Sequence, residues 1–366
     1  MITSVIAFIL VLSVLILVHE FGHFIMARRA GVWVEEFGFG LPPRVLGKKF
    51  GDTIYSINLL PFGGFVRLHG ENTEDSITNP DKAFLNKGKF IRSKIILAGV
   101  VMNFILAVFC FSLVYTFSGI PRESQNVKVL EIRENSPAAI SGLKIDDIVR
   151  KVDEVTVTSN DEFIESVDGR RGKTVVLTIE RDGNLQLISV MPRENPPESE
   201  GALGVVISST EVVFPPLWKR PFLGVYNGFK EAWYWGSVVI QGFIKMFSDL
   251  FGGVVPKDVA GPVGIFALTT QAAKFGILAL LNFIGILSVN LAILNVIPFP
   301  ALDGGRLLFV GIESLFGRKV VPRIESTIHM IGMVILIILI IAITAHDIQR
   351  LISAGGVTGY IESVFK

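Results

Sequence analysis

Four stretches of this chain contain no Asp, Glu, Lys or Arg over a length that could cross a lipid bilayer. About 20 apolar residues are enough for one membrane-spanning helix. Only 18% of the 366 residues are charged, whereas about a quarter of an average soluble domain is charged. The sequence therefore predicts a polytopic α-helical membrane protein with four transmembrane helices, at about residues 2–27, 95–118, 275–298 and 326–346.

Charge and cysteine content argue against several other classes of protein. The formal net charge is +1 and the chain has no strongly basic block, so we expect no nucleic-acid partner. Cys110 is the only cysteine. The chain therefore has no internal disulfide framework and no metal site made of cysteines alone.

The distribution of lysine and arginine predicts the orientation of the helices, because these residues are enriched on the cytoplasmic side of a membrane. They are concentrated between the first and second helices, from Arg28 to Arg92, and between the third and fourth, from Arg306 to Arg323. Both segments are therefore expected in the cytoplasm. Both termini and the long segment between the second and third helices are then extracytoplasmic.

Residues 122–200, within that long segment, change to short alternating apolar runs separated by polar turns. Three runs are typical of strands, at residues 127–132, 174–180 and 185–190. With Ser136-Pro-Ala-Ala and Gly142-Leu143, this order resembles a PDZ domain of the kind found in bacterial envelope proteases. The resemblance implies an α+β domain that captures peptide tails by adding a strand to a sheet edge. A passive cap over the membrane site is the alternative.

Residues 201–274 are predicted to be a linker that contains one interfacial helix. The segment 222–253 is semi-apolar, but its longest uncharged run, residues 232–244, is too short to span a membrane. Trp233, Tyr234 and Trp235 could anchor it at the membrane surface. We therefore expect an amphipathic helix that lies on the outer face of the membrane.

The first apolar stretch ends in His19-Glu20-Phe21-Gly22-His23. Residues four apart share one face of a helix, so both imidazoles can bind one Zn²⁺ ion. Glu20 lies beside them and can take a proton from a water molecule that the metal activates. Ionisable groups inside a membrane span are costly and usually functional. The spacing predicts a zinc site with His19 and His23 as ligands and Glu20 as general base.

A catalytic zinc ion usually has three protein ligands, so one more is needed. The cytoplasmic segment downstream offers three candidates, Glu35, Glu36 and His69. The other candidate is Asp303, just after Pro298 and Pro300 break the third helix, and membranes tolerate such a break only around a cavity. The first and third helices run in the same direction, so the histidine pair and Asp303 both lie toward the cytoplasmic side. The shared direction of the two helices favours Asp303 as the third ligand.

The HExxH at residues 19–23 and the NxxPxPxLDGG at residues 295–305 are similar to motifs of the site-2 protease family of intramembrane zinc metalloproteases. Four glycine-containing segments match as well, at residues 38–40, 63–66, 99–103 and 261–264. With its one PDZ-like insert, the chain resembles the bacterial RseP-type (regulator of sigma-E protease) branch over nearly its whole length. The resemblance implies Zn²⁺ held by His19, His23 and Asp303, and a multi-pass protein of the bacterial cytoplasmic (inner) membrane.

The resemblance also implies residues that bind the substrate. Asn290 and Asn295 match family positions that hold or polarise the substrate backbone, although hydrogen bonding between helices is an equal alternative. Residues 34–68 resemble the membrane re-entrant β-loop of the family, which can accept unwound substrate by edge pairing. The substrate contacts predicted in that loop are Phe39, Gly40 and Phe65. An ordinary cytoplasmic hairpin is the alternative for this segment.

The function implied is regulated proteolysis of single-pass membrane proteins within their transmembrane segments. In the RseP-type branch the substrates are anti-sigma factors already trimmed by another protease, and sometimes remnant signal peptides. The expected partners are therefore transmembrane substrates, peptide tails at the PDZ-like domain and the lipid bilayer. Two alternatives remain open: a catalytically silent membrane scaffold that binds peptide tails, and a peptidase of cytoplasmic peptides that uses the other third ligands.

Four further residues have ordinary structural interpretations. Gly99 and Asn103, in the second apolar stretch, are predicted to pack helices together rather than to take part in chemistry. His329 and His346 flank the apolar part of the fourth stretch. They are predicted to lie near the membrane interface.

Overall fold

A computed structural model describes residues 2–71, 77–197, 200–252, 261–317, 322–356 and 359. The chain divides into two compact units. The first consists of Met1–Phe117 with Leu217–Lys366, and the second of Ser118–Pro216. In chain order the elements are α1 (Ile2–Arg29), β1 (Val34–Phe50), β2 (Thr53–Leu68), α2 (Lys89–Ser118), β3 (Ile120–Ile132), α3 (Pro137–Ser141), β4 (Ile148–Val152), β5 (Val155–Thr156), α4 (Asn160–Asp168), β6 (Val175–Arg181), β7 (Asn184–Val190), β8 (Val205–Val213), α5 (Arg220–Phe251), α6 (Pro262–Phe275), α7 (Ile277–Val296), α8 (Asp303–Phe316) and α9 (Pro322–Ser353).

Helices α1, α2, α7 and α9 are long and apolar enough to cross a membrane. They coincide with the four predicted stretches, which confirms the prediction of four apolar helices. The third is shorter than expected, because Gly276 interrupts the helix at its start and the Ile297–Pro298 break ends it. The second begins earlier, at Lys89.

Strands β1 and β2 form an antiparallel hairpin over the predicted segment. Each strand is bent, so that Phe37 in the first half of β1 lies opposite both Val66 and Tyr55 of β2. The sheet therefore has four passes of backbone, and residues 64–68 and 44–50 form its two edges. The 64–68 edge lies beside α1, where a Cβ added to Gly64 would lie 3.1 Å from the Leu17 side chain.

Helix α5 covers the segment that the sequence predicts to be an amphipathic helix on the outer membrane surface. Gly224 and Gly228 pack tightly against α2 at Ser112 and Thr116. Ala232, one turn further, joins a buried cluster with Ala107 and Phe111 of α2 and Val289 of α7. As α5 advances by one turn, from Gly224 to Gly228 to Ala232, its contacts move back along α2 toward Ala107. The two helices therefore lie antiparallel and side by side, because small residues permit close approach along a shared axis.

Helix α6 lies almost entirely within residues 201–274, which the sequence predicts to be a linker with one interfacial helix. Helix α6 begins at Pro262 and packs against α1, where Phe8 and Phe266 stack edge to face with ring centroids 5.4 Å apart. Asp347 of α9 accepts a hydrogen bond from the Gly264 N–H at 2.9 Å. A buried carboxylate thus satisfies a free donor at the start of α6, which a helix N-terminus requires.

The second unit is a sheet in the order β7-β6-β4-β3-β8, with β5 beside β4 and helices α3 and α4 alongside. The predicted strands at 127–132, 174–180 and 185–190 form within β3, β6 and β7. Residues 201–213 are not a linker, as the sequence suggested: β8 pairs along β3 and completes the sheet. The unit therefore extends to Pro216 rather than ending at residue 200.

A buried ion pair supports the loop that precedes β4 in this unit. The Asp147 carboxylate is 1% exposed and accepts hydrogen bonds from Arg181 at 2.7 Å and from the Lys144 N–H at 2.8 Å. The hydrogen bond to Asp147 raises the pKa of the Arg181 guanidinium above its ordinary value. Arg181 thus supplies the partner that a buried carboxylate needs.

Candidate active site

Helices α1 and α2 approach each other closely at the HExxH segment. A Cβ on Gly22 of α1 would collide with the backbone carbonyl of Ala98 on α2. A Cβ on Gly99 of α2 would collide with Nε2 of His23 and would lie 2.7 Å from Cε1 of His19. Two glycines therefore let the imidazoles of α1 lie directly against α2, as small residues do between membrane helices.

The side chains of His19, His23 and Asp303 meet at this point. Nε2 of His19 lies 3.0 Å from Oδ2 of Asp303, and Nε2 of His23 lies 3.2 Å from the same oxygen. The two Nε2 atoms are 3.2 Å apart. Among the described residues, these three form the one group of His, Cys, Asp and Glu side chains that could hold a metal ion. Residues 284 positions apart in the chain thus share one site.

The geometry and chemistry of these donors fit zinc. Zinc binds imidazole nitrogen and carboxylate oxygen at roughly 2.0–2.2 Å, so ligand atoms on a tetrahedron lie about 3.3 Å apart. The three observed separations, 3.0, 3.2 and 3.2 Å, match this spacing. Three protein ligands also leave a fourth position open, which is the arrangement of catalytic sites.

Each imidazole has a partner on its other nitrogen. Nδ1 of His23 lies 2.8 Å from the carbonyl oxygen of Ile95, to which it donates, so Nε2 keeps its lone pair for a metal. Nδ1 of His19 lies 3.3 Å from the side-chain amide of Asn103. The amide nitrogen of Asn103 faces His19, while its Oδ1 is buried and has no hydrogen-bond partner among the described residues. A half-turn of this amide makes Oδ1 the acceptor for His19, which gives the same metal-binding tautomer.

Gly99 and Asn103 are therefore site residues that the sequence interpretation missed. Both lie on the α2 face that contacts the histidines, one turn apart, rather than serving helix packing alone. Asn103 is fully buried, and its backbone carbonyl accepts a hydrogen bond from the Ser288 hydroxyl of α7 at 2.8 Å. Gly99 and Asn103 are four residues apart, as are His19 and His23. This matching spacing was the feature of the sequence that could have indicated their contact with the histidines.

Asp303 reaches the histidines because the chain reverses sharply between α7 and α8. A Cβ on Gly304 would collide with the carbonyls of Val296 and Ile297, and one on Gly305 would lie 2.5 Å from the Phe299 carbonyl. The glycine pair therefore lets the loop fold back onto the start of α8. Asp303 is in the first turn of that helix, where the helix dipole favours a carboxylate.

Glu20 lies in a cavity of about 230 Å³ that His23 and Asp303 also line. Its carboxylate accepts a hydrogen bond from the Val66 N–H at 3.1 Å. The 64–68 edge of the sheet thus contacts the predicted general base directly. Arg306 lines the same cavity and forms an ion pair with Glu71.

The alternative third ligands are occupied elsewhere. His69 is 1% exposed, and its Nδ1 lies 2.7 Å from Glu35. Nε2 of His69 accepts a hydrogen bond from the Asn79 N–H at 3.1 Å. Glu36 forms an ion pair with Arg44. None of the three belongs to the metal-ligand group, which removes the main argument for a site that uses them.

The predicted substrate-binding residues occupy different surroundings. Phe65 lines the cavity. Phe39 is half-buried opposite Gly64 and Ile57 in the sheet, and Gly40 has a φ of +79°, at which a Cβ would lie 2.5 Å from the Leu60 carbonyl. Asn290 and Asn295 are half-buried on α7 and do not line the cavity. Their role in substrate binding stays a prediction.

Replacing Gly99 with alanine should disrupt the metal site. The added methyl group would occupy the space of the imidazoles, and the helix backbone cannot retreat without losing the contact at Gly22. We expect the zinc dissociation constant of the purified protein to rise at least about tenfold, as for loss of an outer-sphere partner. Gly242→Ala is the matched control, because a Cβ there would meet nothing within 4 Å. Equal zinc affinity in both variants would contradict the described contact.

A sequence model of peptidase family M50 matches residues 7–339 of this chain. The chain belongs to peptidase family M50. A zinc metalloprotease named RasP, from Oceanobacillus iheyensis, is 29% identical to this M50 protein, and the match covers 95% of this chain and 99% of the relative. A protein of Clostridium perfringens, also named as a zinc metalloprotease, is 36% identical, with 93% of this chain and 97% of the relative covered.

Membership in M50 confirms the family resemblance predicted from the sequence, because the HExxH and NxxPxPxLDGG motifs both lie within the matched residues. The PDZ domain of an SdrC-like protein from Listeria innocua also matches in structure. It is 23% identical, with 22% of this chain and 92% of that domain covered and a TM-score of 0.21.

Proposed function

We propose that this M50 protein is an intramembrane zinc metalloendopeptidase that hydrolyses peptide bonds within the transmembrane segments of single-pass membrane proteins. The observation that supports it best is the group of His19, His23 and Asp303 at tetrahedral spacing, with Glu20 in a cavity that His23 and Asp303 also line. The histidines lie on a helix apolar enough to span a membrane, and Asp303 follows a second such helix. Relatives named as zinc metalloproteases support the same chemistry.

His19, His23 and Asp303 would ligate the zinc ion. When bound, zinc activates a water molecule near neutral pH and polarises the carbonyl of the scissile bond. The Ile95 carbonyl and the Asn103 amide orient the two imidazoles, and the first turn of α8 presents the carboxylate. These contacts hold the ligands in place before a substrate arrives, which lowers the cost of forming the site.

Glu20 acts as general base and then as general acid. Its carboxylate accepts a proton from the attacking water and passes that proton to the amine of the departing peptide. The Val66 N–H holds one carboxylate oxygen, so the side chain points into the cavity that Asp303 also lines. The 64–68 edge of the sheet thereby holds the general base beside the cavity in which the substrate would bind.

A substrate helix must unwind before its carbonyls can react, and in lipid its freed backbone groups then need partners. The 64–68 edge of the β1–β2 sheet can supply them by strand addition, next to the catalytic base. Phe65 would contact the unwound segment in the cavity, with Phe39 and Gly40 shaping the sheet behind it. Asn290 and Asn295 would hold the substrate backbone from α7.

We further propose that the protein is a multi-pass protein of the bacterial cytoplasmic (inner) membrane. Both termini and the Ser118–Pro216 unit would be extracytoplasmic, and the basic segment before α2 cytoplasmic. The sheet order of that unit and its edge strands β7 and β8 support a PDZ-like domain that binds peptide tails. Anti-sigma-factor-like proteins after a first cleavage, and remnant signal peptides, are the proposed substrates.

Cleavage of a truncated single-pass protein in liposomes, with and without metal, tests this function. We expect a cut inside the apolar segment, located by mass spectrometry of the two products. The cut should be lost on treatment with o-phenanthroline, which removes zinc, and regained on addition of zinc, because His19, His23 and Asp303 are ligands typical of a zinc site. Cleavage that persists after complete removal of the metal would contradict the proposal.

The same experiment separates the alternatives. A silent scaffold would retain the substrate on the purified protein but produce no fragments at any zinc concentration. A peptidase of cytoplasmic peptides would cut soluble peptides and leave the apolar segment intact. Glu20, His23 and Asp303 line one cavity, and His19 belongs to the same metal-binding group. This clustering argues against a scaffold, which needs none of these residues.

A further inference from the structure

The loop between α7 and α8, residues 297–302, depends on α9 for one of its hydrogen bonds. Its two prolines have no N–H, and its other N–H groups, apart from that of Ala301, bond to carbonyls of the loop or of α7. The Ala301 N–H instead donates to Nδ1 of His329 on α9 at 3.0 Å. An unpaired N–H is costly in a membrane protein, so this contact contributes to the conformation of the loop.

Ala301 adopts a backbone conformation that alanine rarely takes. Its φ is +80°. The other non-glycine residues with positive φ in the described part of the chain are Asn135, Asp146, Asp153 and Asp182. Asn and Asp tolerate this region because their side chains form local hydrogen bonds, which alanine cannot. Ala301 therefore needs a partner from outside the loop, and His329 is that partner.

The accepting nitrogen defines the state of the His329 ring. Since Nδ1 accepts the Ala301 hydrogen bond, a neutral ring carries its proton on Nε2. Nε2 is buried and has no hydrogen-bond partner among the described residues. The contact that this histidine makes with the loop is therefore made by Nδ1 alone.

Gly332 lies one turn beyond His329 on α9 and contacts the same loop. A Cβ there would collide with the Cβ of Pro300 and would lie 2.7 Å from the Pro300 carbonyl carbon and oxygen. Pro300 has a fixed φ and cannot easily move aside. Any side chain at position 332 would therefore displace the residues that lead into Asp303.

We propose that His329 and Gly332 form a cradle on α9 that fixes the loop carrying Asp303, and that His329 is a positioning residue for this metal ligand. Asp303 comes two residues after Ala301, so a rotation at Ala301 moves the carboxylate away from His19 and His23. The cradle thereby couples the fourth apolar helix to the metal site. The inference rests on the proposed role of Asp303 as a zinc ligand.

Two replacements of His329 distinguish the roles of its two ring nitrogens. The side-chain amide of asparagine can occupy the place of Nδ1, whereas that of glutamine reaches the place of Nε2. We expect His329→Asn to bind zinc within about threefold of the wild-type protein. We expect His329→Gln and Gly332→Ala to raise the zinc dissociation constant about 10- to 100-fold, the usual effect of losing an outer-sphere partner. Zinc affinity is measured on the full-length protein in detergent by competition with a chelating dye.

Gly311→Ala on α8 is the matched control for Gly332→Ala, because a Cβ at Gly311 would meet nothing within 4 Å. Wild-type affinity in His329→Gln, or loss of affinity in both His329→Asn and His329→Gln, would overturn the role of Nδ1. A wild-type protein that binds zinc but does not cut apolar segments would refute the proposed function and leave the cradle standing. A wild-type protein that binds no zinc would refute both.

Discussion

Replacing Glu20 with glutamine is expected to abolish cleavage while leaving zinc in the protein. Glutamine has nearly the same shape and can still accept the Val66 N–H hydrogen bond, so the metal ligands keep their positions. It cannot take a proton from the attacking water. Loss of a general base lowers the rate by about 10²- to 10⁴-fold. Cleavage of a truncated single-pass substrate and zinc content by mass spectrometry would be measured on the same sample.

The matched control is Glu154→Gln, the same chemical change at an exposed position of the second unit. It should leave both cleavage and zinc content at the wild-type level. Unchanged cleavage by Glu20→Gln would remove Glu20 from the role of general base. Loss of zinc in this variant would instead make Glu20 a metal ligand, which its absence from the group of possible ligands argues against.

Replacing Asp303 with alanine is expected to remove both zinc and cleavage. Asp303 supplies the only carboxylate oxygen close to both Nε2 atoms, at 3.0 and 3.2 Å, within the described part of the chain. Without it two imidazoles remain, and a catalytic zinc ion needs a third protein ligand. Zinc content after dialysis should fall from one equivalent to near zero, and cleavage should fall with it. Thermal unfolding of the apo protein would show that the fold persists.

Asp161→Ala, on an exposed turn of α4, is the control for removing a carboxylate. A full complement of zinc in Asp303→Ala would show that Asp303 is not the third ligand, and Glu35, Glu36 and His69 would again be the candidates. In that case His69→Ala should lose the metal, although the ring of His69 is now held between Glu35 and Asn79. Together the two replacements decide which third ligand the protein uses.

The sequence alone determined those features that depend on local pattern. Apolar runs without charge predicted α1, α2, α7 and α9, because a helix inside lipid must be apolar along its whole length. The spacing of His19 and His23 placed both imidazoles on one face, since helical periodicity is local. Alternation of apolar and polar residues predicted three of the six strands of the second unit for the same reason.

The tertiary structure decided which distant segments meet. The pattern of Gly224 and Gly228 could not show that α5 packs along α2, because small residues indicate a close contact without naming the partner. Residues 205–213 could not be assigned to the sheet until their pairing with β3 was known. Gly99, Asn103 and His329 likewise could not be assigned to the site from the sequence, because each contacts a residue of a distant segment, His19 and His23 in two cases and Ala301 in the third. Hydrophobic pattern is encoded residue by residue, whereas the positions of Asp303 and its supports depend on how shapes fit together across the whole fold.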